Sequence, residues 1–502
     1  MRTLKKFITG VLLFSMLLLS ANITVFAEKD DIMVYISPDG NDSGSGDYSS
    51  PLLTLAAAKN KLKSMSSSSG NKCVVLKGGE YFWENTVSLT GDDSGTETQK
   101  FVIKGADGEK AVIHHSKSIS SSLFEKVNDQ KLLERIISEE ARDKIYSLDL
   151  KKLGMESYGH AWKHEWASFC ETDFELFSDG EFCDLARYPN VGSTDIIVSG
   201  NVDTAPSAGA ATFDVDTDRV AKWTQAKDAL VHGNFARPWA NDSLGVLKFD
   251  GEKSLLYVDR IPALGLNSDT PFFIYNLIEE LDQNGEYYID RTKGILYVYC
   301  DKDINNAKFE YSTNKNTYFT IKDAKNISIE NLYLNYGLGI GIEIENSENI
   351  TIKNCNISHL NGEALIMKKA NNSSVYGCEI SQLLNNAIKA DAGDNTNLIR
   401  GNLRIENNHI HHWALRAKMY SSAIELVGSG NTVANNSIHD APHMALSFKG
   451  TYHTIENNEF YNLLTETNDA GVIYVGRNWT ERGSVIRNNF FHHIVGAGAA
   501  CY

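Results

Sequence analysis

A short apolar strand running into asparagine recurs through the second half of this chain, and that recurrence restricts the fold more than any other feature. The clearest copies are NISIEN (326–331), NITIKN (349–354), LRIENN (403–408), TVANN (432–436), HTIENN (453–458) and VIRNN (485–489). With Gly377 as the third member, the register positions are 331, 354, 377, 407, 435, 457 and 488, spaced by 23, 23, 30, 28, 22 and 31 residues. A period in the twenties, with insertions between repeats, marks a solenoid. β-Branched residues alternating with polar ones make each unit a set of short strands rather than helices. Asparagine at the bend tolerates left-handed backbone and can hydrogen-bond its stacked neighbour. The expected fold is therefore all-β, a right-handed parallel β-helix.

Four segments follow from where the repeat starts, lapses and resumes. Residues 1–27 read as a signal peptide: Arg2, Lys5 and Lys6 precede the apolar run 11–19, and Val25 and Ala27 suit a cleavage before Glu28. No other stretch could span a bilayer, so a secreted protein is expected, free of the membrane once the leader is removed. Residues 28–115 form an N-terminal cap and the first coils. There a strand near 34–36, a Gly/Ser/Asp-rich turn and an Ala-rich helix would plug the open end of the solenoid. The repeat lapses over 116–318, read as a mainly β insertion with one helix at 131–141 and strands at 175–177 and 295–299. It resumes over 319–502 and stops with no polar capping helix, which reads as a fragment of a longer protein.

Net charge is −16 and no basic tract appears, which speaks against nucleic acid and anionic membrane surfaces as partners. Seven cysteines cannot all pair internally. Cys355 and Cys378 each follow the register position by one residue, so they should stack, as a buried ladder of small side chains or as a disulfide. None of the seven shows metal-ligand spacing.

A second strand in each coil carries the chemistry. Alternation sends Leu365, Ile388, Ile424, Leu446 and Ile473 inward, and Ile366, Lys389, Glu425, Ser447 and Tyr474 outward as one column. With coils about 4.8 Å apart, that column is a polar groove suited to an extended polysaccharide. Loops rich in reactive residues flank it: HDAPH (439–443), ETNDAG (466–471) and GRNW (476–479). Asp469 is the catalytic candidate, because carboxylates do the acid, base or nucleophile work on glycosidic bonds. Glu425, His443, Tyr474, Arg477, Trp479, His492 and Lys389 are the substrate-binding candidates, since aromatics stack on sugars while His and Arg hold hydroxyls and carboxylates. Each has a plainer reading: Glu425 as a solvated carboxylate, Asp469 as a turn former, Arg477 and Trp479 as loop cover. His411, His439 and His492 share one register position, and a ladder of stacked rings gives such spacing without metal. No metal and no cofactor are expected, and the molecule is expected to be a monomer.

The stretches ELFSDG (175–180) with LARYPN (185–190), NLIEELDQNGE (276–286) and DAGVIYVGRNW (469–479), together with the opening YISPDGND (35–42), resemble the glycoside hydrolases of family 141 over essentially the whole mature chain. The resemblance implies xylanase- or α-L-fucosidase-like action on plant cell-wall polysaccharide by a pair of Asp residues. Asp469 matches one member. The second is expected one coil later, after the bend FHHI (491–494), beyond Tyr502. Glu425 lies two coils from Asp469, about 10 Å by the coil spacing. That is too far for a retaining pair, at about 5 to 5.5 Å, though near the inverting range. This fragment would then be inactive where its parent is an enzyme. A uronate lyase is the alternative. It would need a base, with Ca²⁺ or Arg neutralising the substrate carboxylate, drawn from Lys389 with Asp391 and Asp394, or from Lys449 with Arg477. A non-catalytic glycan-binding solenoid is the third reading, and fold alone does not choose among them.

Overall fold

The computed structural model describes residues 31–65, 70–166, 168–193, 197–205, 209–215, 217–466 and 469–496. The expected leader and the last six residues lie outside this set. Three parallel sheets wind into one β-helix. The first runs from Ile32–Ile36 and Lys72–Leu76 through Phe101–Gly105 and Lys325–Glu330 to Thr454–Glu456 and Val485–Arg487. The second has nine strands, from Gly79–Phe82 and Ala111–His114 to Phe490–Ile494. The third begins at Val87–Leu89 and Phe319–Lys322 and ends with Ile424–Ser429, Leu446–Thr451 and Ile473–Val475.

Every residue of the expected register is left-handed: φ is 54° at Asn331, 52° at Asn354, 65° at Gly377 and 55–57° at Asn407, Asn435, Asn457 and Asn488. Two further left-handed columns flank it. Asn326, Asn349, Asn372 and Asn402 precede it by five residues, and Tyr336, His359, Gln382 and His412 follow it by five. Bends five residues apart thus bracket the strands of the first and second sheets in every coil. All variation in coil length therefore falls on the segment bearing the third sheet.

The residue after each bend points into the core. Asn408, Asn436, Asn458 and Asn489 form a ladder in which each Nδ2 donates to the Oδ1 of the next, at 2.9 Å in all three steps. Cys355 and Cys378 occupy the same column in earlier coils. Both are free thiols, donating to the carbonyls of Ile329 and Ile352, so the ladder of small side chains is what forms. Ile327, Ile350, Val375, Ile405 and Ile455 fill the interior beside them, none measurably exposed.

At the N-terminal end the helix Leu55–Ser64 lays Ala58 and Leu62 on Val34, Ile36 and Leu52. Thr54 caps it, and Asp42 accepts from the N–H groups of Leu53 and Thr54. In the last coil Ile486 is 47% exposed, whereas its partner Ile455 is fully buried.

The insertion leaves the solenoid after Ala111–His114 and returns at Phe319–Lys322, which pairs directly with Val87–Leu89. It holds three sheets of its own, built on Glu175–Ser178 with Phe309–Ser312, on Ile145–Asp149 with Ile295–Tyr299, and on Leu230–Arg237 with Ala240–Asp250. The helix expected at 131–141 is shorter, Gln130–Arg135, with Asp129 as its N-cap. It stops where β-branched Ile136 and Ile137 follow, and the Ile137 N–H turns to the carbonyl of Glu279; a 3₁₀ turn, Glu139–Lys144, replaces the rest. Among the described residues no helix is long and apolar enough to cross a membrane.

Candidate active site

The third sheet stacks Ile366, Lys389, Glu425, Ser447 and Tyr474 as direct partners in successive coils. Two residues further along, Asp391, Val427 and Lys449 make a parallel outward column. Long loops rise beside these strands and enclose a cleft of about 430 Å³ lined by Tyr420, Glu425, Ser447, Lys449, Tyr474 and Arg477. Tyr420 comes from the loop 412–422 and meets Tyr474 edge-on at 6.4 Å between ring centres. Burial raises the pKa of the Tyr420 hydroxyl, the neighbouring Tyr474 and Asp469 push the same way, and Arg477 opposes them. Asp469 is exposed, at φ 57°, in the loop that leads into the Tyr474 strand.

A second cavity of about 340 Å³ sits where the insertion meets the same loops, lined by Arg187, His232, Asn241, Phe273, Lys418 and Glu466. The Arg187 guanidinium lies 3.5 Å from the centre of the Phe273 ring, and Lys418 Nζ is 2.7 Å from Glu466 Oε1. Lys418 and Met419 line this cavity and Tyr420 lines the cleft, so three consecutive residues form the partition. The loop is held to the insertion by a buried two-pronged ion pair between Arg416 and Glu175, and to the solenoid by Trp413, which is buried in the solenoid core; the Trp413 indole also closes the loop on itself by donating to the Ser421 carbonyl.

Of the residues singled out in the sequence, Glu425, Tyr474 and Arg477 share the cleft, and Asp469 borders it through Tyr420. Four others depart from the expected gathering. His443 is fully buried behind the cleft with its ring against Tyr420, and burial drives its pKa down to about 4, so the ring is neutral packing. His492 belongs to the second sheet, beside Glu459 at 3.2 Å and stacked on Tyr461. Trp479 is 96% exposed at the tip of the exit loop and does not line the cleft. Lys389 keeps its place in the column, but its Nζ is bound to Glu363 at 2.6 Å, one coil outside the cleft.

The structure adds Tyr420, and it places Lys449, expected only for the lyase alternative, in the same cleft. Extending the strand alternation by two residues finds Lys449; Tyr420 lies outside the repeat and has no such signal. The acidic motifs of the insertion build its scaffold. Glu279 pairs with Arg135, Glu280 accepts from Arg219 and the Trp223 indole, and Glu286 accepts from the N–H groups of Asp282, Gln283 and Arg187. Burial pushes the pKa of Glu280 up to about 7 and that of Glu286 to about 8. Among the described residues one group has three metal-ligand atoms within 4.8 Å of one another: Glu379, His409 and His411, on the second sheet.

A family model described as a right-handed β-helix region matches residues 293–417. No curated protein matches the sequence. Among solved structures, a protein described as a glycoside hydrolase is similar with a TM-score of 0.73 and 16% identity, over 92% of this chain and 88% of that one. XylC, described in complex with xylose, is similar with a TM-score of 0.50 and 13% identity, over 92% of this chain and 66% of its own. What the chain shares with these proteins is the right-handed parallel β-helix fold.

Proposed function

We propose that this chain is a carbohydrate-active enzyme that holds an extended polysaccharide along the third sheet and hydrolyses its glycosidic bonds. The observation that carries this reading is the cleft itself. Glu425, Lys449 and Tyr474 are presented at coil spacing on one sheet, and the flanking loops bring Tyr420 and Arg477 into the same cleft. Flat aromatic rings suit sugar faces, and Arg and Lys suit hydroxyls and carboxylates. Asp469 is the catalytic carboxylate of this reading; for this chain to act by itself, Glu425, two coils away and near the inverting separation, has to serve as its partner, with Tyr420, Tyr474 and Arg477 holding substrate. The cavity beyond residues 418–420 would take a neighbouring sugar or a side branch.

The fold-level likeness to a glycoside hydrolase and to XylC, described with xylose, supports the choice of a glycosidase and of a pentose-containing polymer. The motif resemblance to family 141 points the same way, toward xylan or fucosylated pectin, for a secreted, monomeric protein. A uronate lyase is the second reading, favoured by Lys449 and Arg477 lining one cleft, where they could neutralise a uronate carboxylate.

The test incubates the protein with arabinoxylan, fucosylated pectin and polyuronate, following reducing ends and unsaturated-uronide absorbance together. Reducing ends without absorbance support hydrolysis. Absorbance gain establishes the lyase. Retention on the polymer with neither product leaves a binding solenoid.

A further inference from the structure

On the second sheet, away from the cleft, two successive coils meet at a cluster of imidazoles and carboxylates. The strand Glu379–Leu383 pairs in parallel with His409–His411, setting Glu379 beside His409 and Ser381 beside His411. The Glu379 carboxylate spans both rings, with Oε2 2.8 Å from His409 Nδ1 and Oε1 2.6 Å from His411 Nε2. The far nitrogens are held as well. His409 Nε2 lies 2.6 Å from His439 Nε2, and His439 Nδ1 lies 2.6 Å from Asp440 Oδ2. His411 Nδ1 lies 2.7 Å from His412 Nδ1.

Counting hydrogens along Glu379, His409, His439 and Asp440 exposes a deficit. The three contacts need one hydrogen each. Carboxylate oxygens only accept, and two neutral imidazoles bring two hydrogens. One contact therefore lacks its positive partner. A cation between Glu379 and His409 fills it. The ion takes the His409 Nδ1 lone pair, the His409 Nε2–H donates to His439 Nε2, and the His439 Nδ1–H donates to Asp440. A second ring nitrogen, His411 Nε2, faces the same carboxylate from the other side.

We propose that Glu379, His409 Nδ1 and His411 Nε2 form a binding site for a divalent first-row transition ion, with zinc the expected occupant. Two imidazoles and a carboxylate are a donor set that suits zinc, and three protein ligands leave a fourth position for water. With bonds of about 2.0 to 2.1 Å, tetrahedral zinc ligands lie roughly 3.3 Å apart. The three ligand atoms, all within 4.8 Å of one another, need only small side-chain shifts to reach that spacing. The side chains of Glu379 and His409 are 37% and 45% exposed, so an ion arrives directly from solvent. His439 and Asp440 fix the orientation of His409, as carboxylate-backed imidazoles do around zinc. Bound there, the ion staples the coil of Glu379 to the next.

The competing reading is a purely structural ring stack. His411, His439, Tyr461 and His492 do stack, at 5.1, 4.2 and 4.8 Å between centres, and one proton could then supply the missing charge. Tag-free, chelator-treated protein titrated with Zn²⁺ by calorimetry, and with Co²⁺ by visible absorption, separates the two. The proposal expects one ion per chain, with the absorption of low-coordinate cobalt. Binding should be lost in His409→Ala/His411→Ala and weakened about 10- to 100-fold in Asp440→Asn. Glu379→Gln keeps the shape of the side chain and should also weaken binding, so the test survives if the histidine variants misfold. Absence of stoichiometric binding, or binding unchanged in Glu379→Gln, overturns the site and leaves the protonated stack.

Discussion

Adjacent asparagines in one coil should respond to substitution in opposite ways. Asn435 is exposed at φ 57°, and its part is to let the chain turn. Asn436 is buried and makes four hydrogen bonds with its side chain. Its Nδ2 donates to the Ile405 carbonyl and to Asn458 Oδ1, and its Oδ1 accepts from the backbone N–H and the Nδ2 of Asn408, all at 2.9 Å. Asn436→Ala removes all four and strands their partners in an apolar interior. At about 1 to 1.5 kcal/mol each, the loss is about 4 to 6 kcal/mol. Asn435→Gly keeps a residue that adopts positive φ freely, and should change stability by no more than about 1 kcal/mol. Urea unfolding followed by tryptophan fluorescence measures both. Because stability in a solenoid is largely a sum over neighbouring coils, amide exchange over residues 432–439 shows whether the damage is local. Equal costs for the two variants, or a greater cost at Asn435, would refute the division of labour between bend and ladder.

Three further outcomes follow from the buried groups and the cleft. Glu286, with its pKa raised to about 8, holds its proton more tightly in the folded state than in the unfolded chain, so stability falls as pH rises from about 4.5 and levels off above about 8. His164 and His443, lowered to about 4, act in the opposite sense but below about 6.5, and Glu280, raised to about 7, acts in the same sense as Glu286, so thermal midpoints between pH 7 and 8 should drop in the wild type and drop less in Glu286→Gln; a rise would contradict this. Arg416→Met leaves Glu175 as an unpaired buried carboxylate and should cost about 3 to 5 kcal/mol in urea, whereas Arg416→Met with Glu175→Leu should recover most of that. Tyr420→Ala should weaken oligosaccharide binding by about 1 kcal/mol in calorimetry, the worth of one aromatic contact, with far-UV circular dichroism unchanged.

The β-helix was legible because its bends repeat a residue type: only asparagine and glycine sit easily at the seven left-handed positions from 331 to 488. The column five residues later was not, because Tyr336, His359, Gln382 and His412 have no common side chain to betray a common backbone. The alternation that set Glu425 over Ser447 and Tyr474 came from the same repeat and holds in the pairing register. Loops obey no repeat. The reach of Tyr420 into the cleft depends on Arg416 finding Glu175, hundreds of residues earlier in the chain, and no local pattern encodes that contact. His492 was singled out for an imidazole suited to sugar hydroxyls, yet the register position it shares with His411 and His439 belongs to the second sheet. The acidic motifs of the insertion carried the family resemblance, but their carboxylates are buried against Arg135, Arg219 and backbone N–H groups, away from the cleft.

The most direct test of the proposed hydrolysis at the third sheet compares reducing-end release from arabinoxylan and fucosylated pectin by the wild-type protein and by Asp469→Asn. Asp469 is exposed in a loop, so its amide variant should fold and melt like the parent. The expected result is release by the wild type and its loss in Asp469→Asn, with polymer binding retained. Release that persists at the wild-type rate in Asp469→Asn would contradict the assignment.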